Sequence, residues 1–517
     1  MLVHQFLEEA AARRPDAPAL IEGRRTASYA ELNALANRFA NMLRAAGVER
    51  HDRVVIALDN SIELVGAYLG TMKTGAVAVP LPAGPKSDRL AKAVVDSSPS
   101  AAIVHASTAA EVDEAHPLAK LEAVFVAGRL KPGYRLMPGW RPLADALAET
   151  TDTAAPVRIV DIDLAAIIYT SGSTGEPRGV MLTHRNFVAN ARSIVSYLGL
   201  TEQDRVMCVL PFYYVYGLSL LHTHLAVGAS IVIDNRFVFP NVVLRAMAEQ
   251  SVTGFAGVPS TFALLLHRSD IDSVALPALR YVTQAGGAMP AARIQEWLAR
   301  GPKVPFFVMY GATEAGARLA YLEPSHLADK LGSIGQAIPN VEILIVKDDG
   351  TLGGPGEVGE LVARGTNIAV GYWNNPEETL QKFGPLGYRT GDLGYRDDDG
   401  FLFLVGRRHD MLKVGAHRVG AKEIEDVLNE FPGVIEVAVV PAPHDLLGEV
   451  PVAFVALRDG IVSDAGALEA FCHSRLPAHK VPAQFLIKPE LPKLGSVGKI
   501  DKGVLREQAR ELHPVVQ

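Results

Sequence analysis

Between Tyr169 and Gly179 the chain reads Tyr-Thr-Ser-Gly-Ser-Thr-Gly-Glu-Pro-Arg-Gly, directly after the apolar pair Ile167-Ile168. A buried strand running into hydroxyls and glycines suits a polyphosphate. Gly172 and Gly175 let backbone N–H groups approach phosphate oxygens because no Cβ intervenes. Thr170, Ser171, Ser173 and Thr174 add donors, and Arg178 adds positive charge. The run is not a Walker A loop, which needs Gly-x-x-x-x-Gly-Lys-Ser/Thr leading into a helix. A Ser/Gly turn after a buried strand accounts for it about equally well, so the case rests on what accompanies it.

Five further runs accompany it. Gln284-Ala285-Gly286-Gly287-Ala288 offers bare backbone on which a flat ring could lie. Tyr310-Gly311-Ala312-Thr313-Glu314 places an aromatic, a hydroxyl and a carboxylate where base, phosphate and metal could meet. Tyr388-Arg389-Thr390-Gly391-Asp392 ends on a carboxylate able to grip ribose hydroxyls, and Gly406-Arg407 supplies a second ribose or phosphate contact. Gly498-Lys499-Ile500 presents a lone lysine on a glycine-flanked loop. Singly, Asp392 reads as a turn residue, Glu314 as a helix N-terminal charge and Lys499 as a solvated lysine. Their joint occurrence in this order favours one site.

With these motifs the chain resembles the adenylate-forming superfamily of acyl-CoA synthetases, luciferases and peptide-synthetase adenylation domains, from the first helix to Lys502. The resemblance implies a two-step reaction. A carboxylate attacks the α-phosphate of ATP to give an acyl-adenylate and pyrophosphate; a thiol then displaces AMP. Bringing an anion to a polyanion calls for cations around the developing charge. By matching position, Lys499 bridges the carboxylate and the α-phosphate, Glu314 holds Mg²⁺ and Thr313 donates to the α-phosphate. Asp392 and Arg407 take the ribose, and Gly286, Gly287, Ala288 and Tyr310 sandwich adenine. The loop Thr170–Gly175 closes over the β- and γ-phosphates. The hinge falls at Arg408-His409, and a swing of the C-terminal part brings Lys413–Arg418, with Gly415 and Ala416 lining the thiol tunnel, to the site. Coenzyme A is the expected acceptor. The rivals are an acyl-AMP ligase loading the phosphopantetheine of a carrier protein, a non-catalytic nucleotide-binding member, and a generic phosphotransferase.

The chain departs from the family pattern at four places. Arg178 stands where lysine is usual. Tyr214 stands where many relatives have a histidine near the acyl carboxylate, and no aspartate follows Phe212, which argues against ordinary α-amino acids. His409 replaces the usual hinge aspartate or lysine. Ala416 stands where the thiol-tunnel loop usually has glycine. The acyl pocket is expected at Tyr214, Gly217, Val258, Pro259, Gly286, Gly287, Gly311, Ala312 and Gly316. These are small or apolar, which suits an apolar acyl or aryl carboxylic acid.

These motifs must be carried by regular elements. Helix patterns over 29–46 and 61–74 alternate with strand patterns over 53–58 and 76–80. The alternation recurs with strands over 206–210, 230–233, 254–258, 279–284 and 304–309 and helices over 218–227, 242–250 and 291–299. This predicts a large α/β/α N-terminal domain over 1–406 on parallel strands. A β-rich subdomain is expected over about 334–406. A small α+β lid follows over 407–517, with a helix over 421–429, strands over 434–440 and 450–457, and a helix over 465–475. The 517 residues are 49% hydrophobic and 21% charged, with net charge −7, which gives no electrostatic case for nucleic acid or an anionic membrane. Two cysteines, Cys208 and Cys472, fit a reducing, cytoplasmic setting. The start reads as an amphipathic helix rather than a signal peptide, and no apolar run reaches transmembrane length. A homodimer is left open as the assembly.

Overall fold

The computed structural model describes all residues except 85–87, 131–132, 155, 172–176, 416, 459–460, 462, 495–498 and 513–517. Two sheets form its N-terminal part. In the larger, strands Phe306–Tyr310, Tyr281–Gln284, Gly254–Gly257, Arg205–Cys208, Ser230–Ile233 and Pro18–Glu22 lie side by side in that order, all parallel. In the smaller, Arg53–Ala57 lies between Val77–Leu81 and Ala101–His105, again parallel. The strand–helix alternation produces this because a parallel pair needs a crossover, and a helix supplies one.

Both sheets bury a face in one shared core. Val54, Ile56 and Ile168 from one sheet meet Val206, Cys208 and Ile231 from the other. Helices Ile62–Lys73, His184–Leu198 and Val215–Val227 fill the space between. Helix Val215–Val227 is apolar on nearly every side, as a helix buried all round must be. Its start lies three residues before the expected one. Ser61 begins helix Ile62–Lys73 by accepting the Leu64 N–H on its hydroxyl.

The β-rich region continues the larger sheet. Strands Ala320–Leu322, Ser333–Ala337, Leu402–Arg407, Gly387–Arg396, Gly359–Gly365 and Val341–Val346 extend it edge to edge in that order, all antiparallel. After the short turn Arg408–Asp410 comes the small C-terminal domain. Strands Met411–Val414, His417–Gly420, Val434–His444, Gly448–Leu457 and Gln484–Lys488 form its sheet. Both faces are covered. Val437 and Val439 join the core beneath helices Ala421–Asn429 and Ala465–His473, whereas Ala438 and Val440 join Leu505 of helix Lys502–Leu512. Among the described residues no helix is long and apolar enough to cross a membrane.

Candidate functional site

The described residues of the phosphate run lie at the facing ends of two paired strands. Strands Leu164–Ser171 and Pro177–Thr183 pair antiparallel, with Thr170 opposite Arg178 and Ser171 opposite Pro177. The expected contacts of Gly172, Ser173, Thr174 and Gly175, and of the Ser171 side chain, lie outside the described residues. The hairpin is pinned from below, where the Tyr169 hydroxyl donates to Asp96 Oδ2 at 2.5 Å. Thr170 is half-buried.

Arg178 is held by two neighbours absent from the sequence reading. Its guanidinium pairs with Glu378 at 2.7 Å and lies 6.0 Å from the centre of the Tyr372 ring. The Tyr372 hydroxyl donates to Glu314 Oε1 at 2.8 Å. Burial first, and then the Glu314 charge, push this phenol far above its ordinary pKa, so it stays a donor. One line of contacts therefore runs from the phosphate hairpin to the carboxylate expected to meet the metal.

The other expected groups lie at the carboxyl ends of neighbouring parallel strands, where open α/β sheets bind ligands. Strand Tyr281–Gln284 delivers Gly286, Gly287 and Ala288, all exposed. Gly286 has φ +82°, and the Gln284 amide donates to the Gly287 carbonyl at 2.8 Å, fixing the turn. The adjacent strand Phe306–Tyr310 delivers Gly311, Ala312 and the short turn Thr313–Ala315. Gly311 must be glycine, because a Cβ there would lie 2.0 Å from the Ala317 carbonyl oxygen. The Thr313 hydroxyl and Glu314 Oε2 have no protein hydrogen bond among the described residues.

Asp392 and Arg407 face each other across antiparallel strands, and the Arg407 Nε lies 3.1 Å from Asp392 Oδ1. The Tyr310 hydroxyl donates to Asp392 Oδ2 at 2.5 Å. Tyr310 thus orients the carboxylate expected to bind ribose, beyond the ring contact anticipated for it. Burial, with Asp392 next, pushes the Tyr310 phenol well up and keeps its proton in place.

The expected acyl-pocket residues gather near the same strand ends. Half-buried Tyr214 precedes helix Val215–Val227 and packs its ring 4.5 Å from that of Tyr213. Gly217 lies inside that helix, and its glycine serves packing, since a Cβ there would lie 2.2 Å from the Pro211 oxygen. Val258 approaches Gly286, where an added Cβ would stand 3.0 Å from its Cγ1. Gly316 closes the 313–315 turn at φ +64°. Sequence reasoning missed Tyr372, Glu378 and the buried Arg318. The signal for Arg318 is a charge inside the small apolar run Ala315-Gly316-Ala317-Arg318-Leu319-Ala320.

In the C-terminal domain, Lys499 opens the short strand Lys499–Ile500, paired with Lys493–Leu494; its side chain lies outside the described residues. Gly415 is exposed at φ +57° and donates to the Leu447 carbonyl, whereas Ala416 lies outside the described residues. Arg408 pairs with Asp348 at 2.9 Å and reaches Glu360 at 3.6 Å; the His409 side chain is outside the described residues. The domain rests on helix Ala291–Arg300, from which Arg293 donates to the Val434 and Ile435 carbonyls at 3.0 and 3.2 Å.

Comparison with known proteins agrees with this arrangement. The family model for AMP-binding enzymes matches residues 7–373, and that for the AMP-binding enzyme C-terminal domain matches residues 423–498. The chain is 31% identical over 513 residues to an indoleacetate–CoA ligase of Aromatoleum aromaticum, covering 98% of each. Its fold is similar to that of the anthranilate CoA ligase AuaEII in complex with anthranoyl-AMP, with TM-score 0.91, 27% identity and coverage of 100% of this chain and 98% of that one. It is also similar to the O-succinylbenzoate coenzyme A synthetase MenE of Bacillus subtilis in complex with ATP and magnesium, with TM-score 0.83, 29% identity and coverage of 98% of each. The chain therefore belongs to the AMP-binding enzymes, the adenylate-forming superfamily of AMP-dependent acyl-CoA synthetases, and is an AMP-forming acid–thiol ligase.

Proposed function

We propose that the protein activates an acyl or aryl carboxylic acid with ATP and Mg²⁺ and passes the acyl group to coenzyme A. The observation that carries this reading is the convergence of two oriented carboxylates on the ends of the parallel strands. Asp392 is fixed by Tyr310 and Arg407, and Glu314 by Tyr372. Asp392 accepts from the ribose hydroxyls, with Arg407 beside it. Adenine rests on the exposed backbone of Gly286–Ala288. Thr313 donates to the α-phosphate. Arg178, held by Glu378, keeps positive charge near the phosphate loop.

The residues present fit a magnesium ion. Mg²⁺ favours oxygen ligands and is commonly bound by one or two carboxylates plus substrate phosphates. Glu314 offers such a carboxylate, and the described residues contain no group of three or more His, Cys, Asp or Glu able to hold a metal. When bound, the ion would neutralise phosphate charge as pyrophosphate forms.

Residues 1–406 hold the nucleotide and the acid in this reading. Residues 407–517 present Lys499 for adenylation and then Lys413–Arg418 for thiol transfer, turning about Arg408-His409. Lys499→Ala tests the assignment. Removing one preorganised charge contact costs on the order of 10²–10³ in rate. The variant is expected to lose acid-dependent ATP–pyrophosphate exchange by that factor and still turn a supplied acyl-adenylate into thioester. Exchange that survives the change removes Lys499 from the adenylation step. Offering CoA and a pantetheinylated carrier in parallel decides the acceptor.

A further inference from the structure

Arg318 is one of the largest side chains fully buried in the molecule, at 2% exposure. Its environment leaves it incompletely used. Nη1 donates to the Ala317 carbonyl at 3.2 Å, and the Tyr197 hydroxyl is a second neighbour. The guanidinium carbon lies 4.7 Å over the ring of Tyr216. Nε has no hydrogen-bond partner, and no carboxylate pairs with Arg318 among the described residues. A guanidinium carries five N–H donors and cannot shed its charge. Buried arginines are ordinarily matched by an anion, because a lone charge out of water is costly. A cation–π contact offsets only part of that cost.

The surrounding chain holds the arginine in place. Ala317 sits at φ +128°, a conformation that a residue with a Cβ rarely adopts. Asn190 and Asn367, both buried, each donate to the Ala315 and Arg318 carbonyls. Such strain persists where the surroundings over-determine it, and it clusters at binding sites.

The position of the guanidinium relates it to the acid. Tyr216 bears the cation on its ring and also borders Gly286, whose added Cβ would stand 4.0 Å from Tyr216 Cδ1. Its hydroxyl is fixed on Thr283 at the end of strand Tyr281–Gln284. Tyr216 therefore touches both the exposed glycine rim of the site and the buried charge. Gly311, a candidate wall of the acyl pocket, packs on the Arg318 backbone, where its Cβ would stand 2.9 Å from Arg318 Cα.

We propose that Arg318 is a specificity-determining residue: it receives a second carboxylate, on the end of the acid away from the one that is adenylated. This rests on the acid–CoA ligase reading and narrows it to acyl or aryl acids with two carboxylates. Apolar walls hold the body of the acid, and the planar fork of Arg318 suits a bidentate carboxylate pair at its buried end.

The test uses ATP–pyrophosphate exchange by the full-length protein with paired acids: benzoate against isophthalate and terephthalate, and hexanoate against adipate. Wild type is expected to favour the diacid by about tenfold or more in kcat/KM, the worth of a hydrogen bond to a charged group. Arg318→Leu is expected to erase that preference while leaving the KM for ATP unchanged. Arg318→Lys, which keeps charge and most of the volume, retains part of the preference and decides the matter if the leucine variant does not fold. A wild type that favours the monoacids, or a diacid-to-monoacid ratio that neither variant moves, overturns the role of Arg318 and leaves the ligase reading intact. Absence of exchange with every acid in wild type overturns both.

Discussion

In the proposed function Glu314 meets the metal ion only when the nucleotide arrives, and something must hold it meanwhile. Tyr372 does this for Glu314, and its ring also supports the Arg178 guanidinium. Tyr372→Phe removes the hydroxyl and keeps the ring. A hydrogen bond to a charged group is worth about 1.5–3 kcal/mol. The variant is expected to need roughly tenfold more Mg²⁺ for half-maximal pyrophosphate exchange. A magnesium titration identical to wild type would show that the phenol does not position Glu314. Asp392 and Arg407 stood out in the sequence as charges directly after glycine, and Glu314 as the carboxylate closing the run Tyr310–Glu314. Tyr372 did not. It lies 58 residues from Glu314 in an ordinary Gly-Tyr-Trp run, and only the fold joins them. Arg318 was overlooked for a related reason, since its partner ring, Tyr216, belongs to a distant helix.

At the scale of elements, the helices packed between the two sheets carry an unusual load of histidine. His184 opens one helix, His222 and His224 lie on the next, and His4 precedes the first. Burial is the main cause that lowers all four, His4, His184 and His222 to about 3 and His224 to about 4. In the unfolded chain each titrates near 6.5. Above that pH they are neutral in both states and exert no pH-dependent effect. Below it the unfolded chain binds protons that the fold refuses, so stability falls with pH by up to about 1.4 kcal/mol per unit for each histidine. Thermal melts are expected to be flat from pH 8 to 7 and to drop steadily from 6.5 to 5. A melting temperature constant to pH 5 would refute the neutral burial of these rings. The alternation of strands and helices was readable because period-2 and period-3.6 patterns alternate along the chain. The start of helix Val215–Val227 was not, because Tyr214 precedes it without a side-chain cap. The continuation of the β-rich region into the larger sheet was equally hidden, since edge-to-edge pairing leaves no local pattern.

At the scale of the whole molecule, the seam between the domains is a small ionic cluster. Glu296 lies 2.6 Å from Arg293, 3.0 Å from Arg300 and 3.5 Å from Arg458 of the C-terminal domain, while Arg293 also grips two carbonyls across the seam. Arg293→Ala removes those two bonds. Each is worth about 1.5–3 kcal/mol, enough to shift the balance of domain positions by about tenfold or more. The expected outcome is unequal change in the two half-reaction rates, with faster proteolysis in the 407–411 stretch. Equal changes in both rates, with unaltered proteolysis, would show that the seam does not set the domain position. The change of texture near Gly406 made two parts visible in the sequence. Their contact was not, because Arg293 bonds to backbone carbonyls 141 and 142 residues away, which any residue could supply. The register of strands Gly387–Arg396 and Leu402–Arg407 carries a last implication. Asp392 pairs with Arg407, and the next residue, Arg408, is tied to Asp348 and Glu360 at the start of the turn. In the proposed function nucleotide grip and pivot are thus one peptide bond apart. In the proposed cycle no rotation of the C-terminal domain can leave the ribose contact untouched, so AMP departure and domain return are mechanically geared, and a slower swing would lengthen the residence of AMP even with every nucleotide contact unchanged.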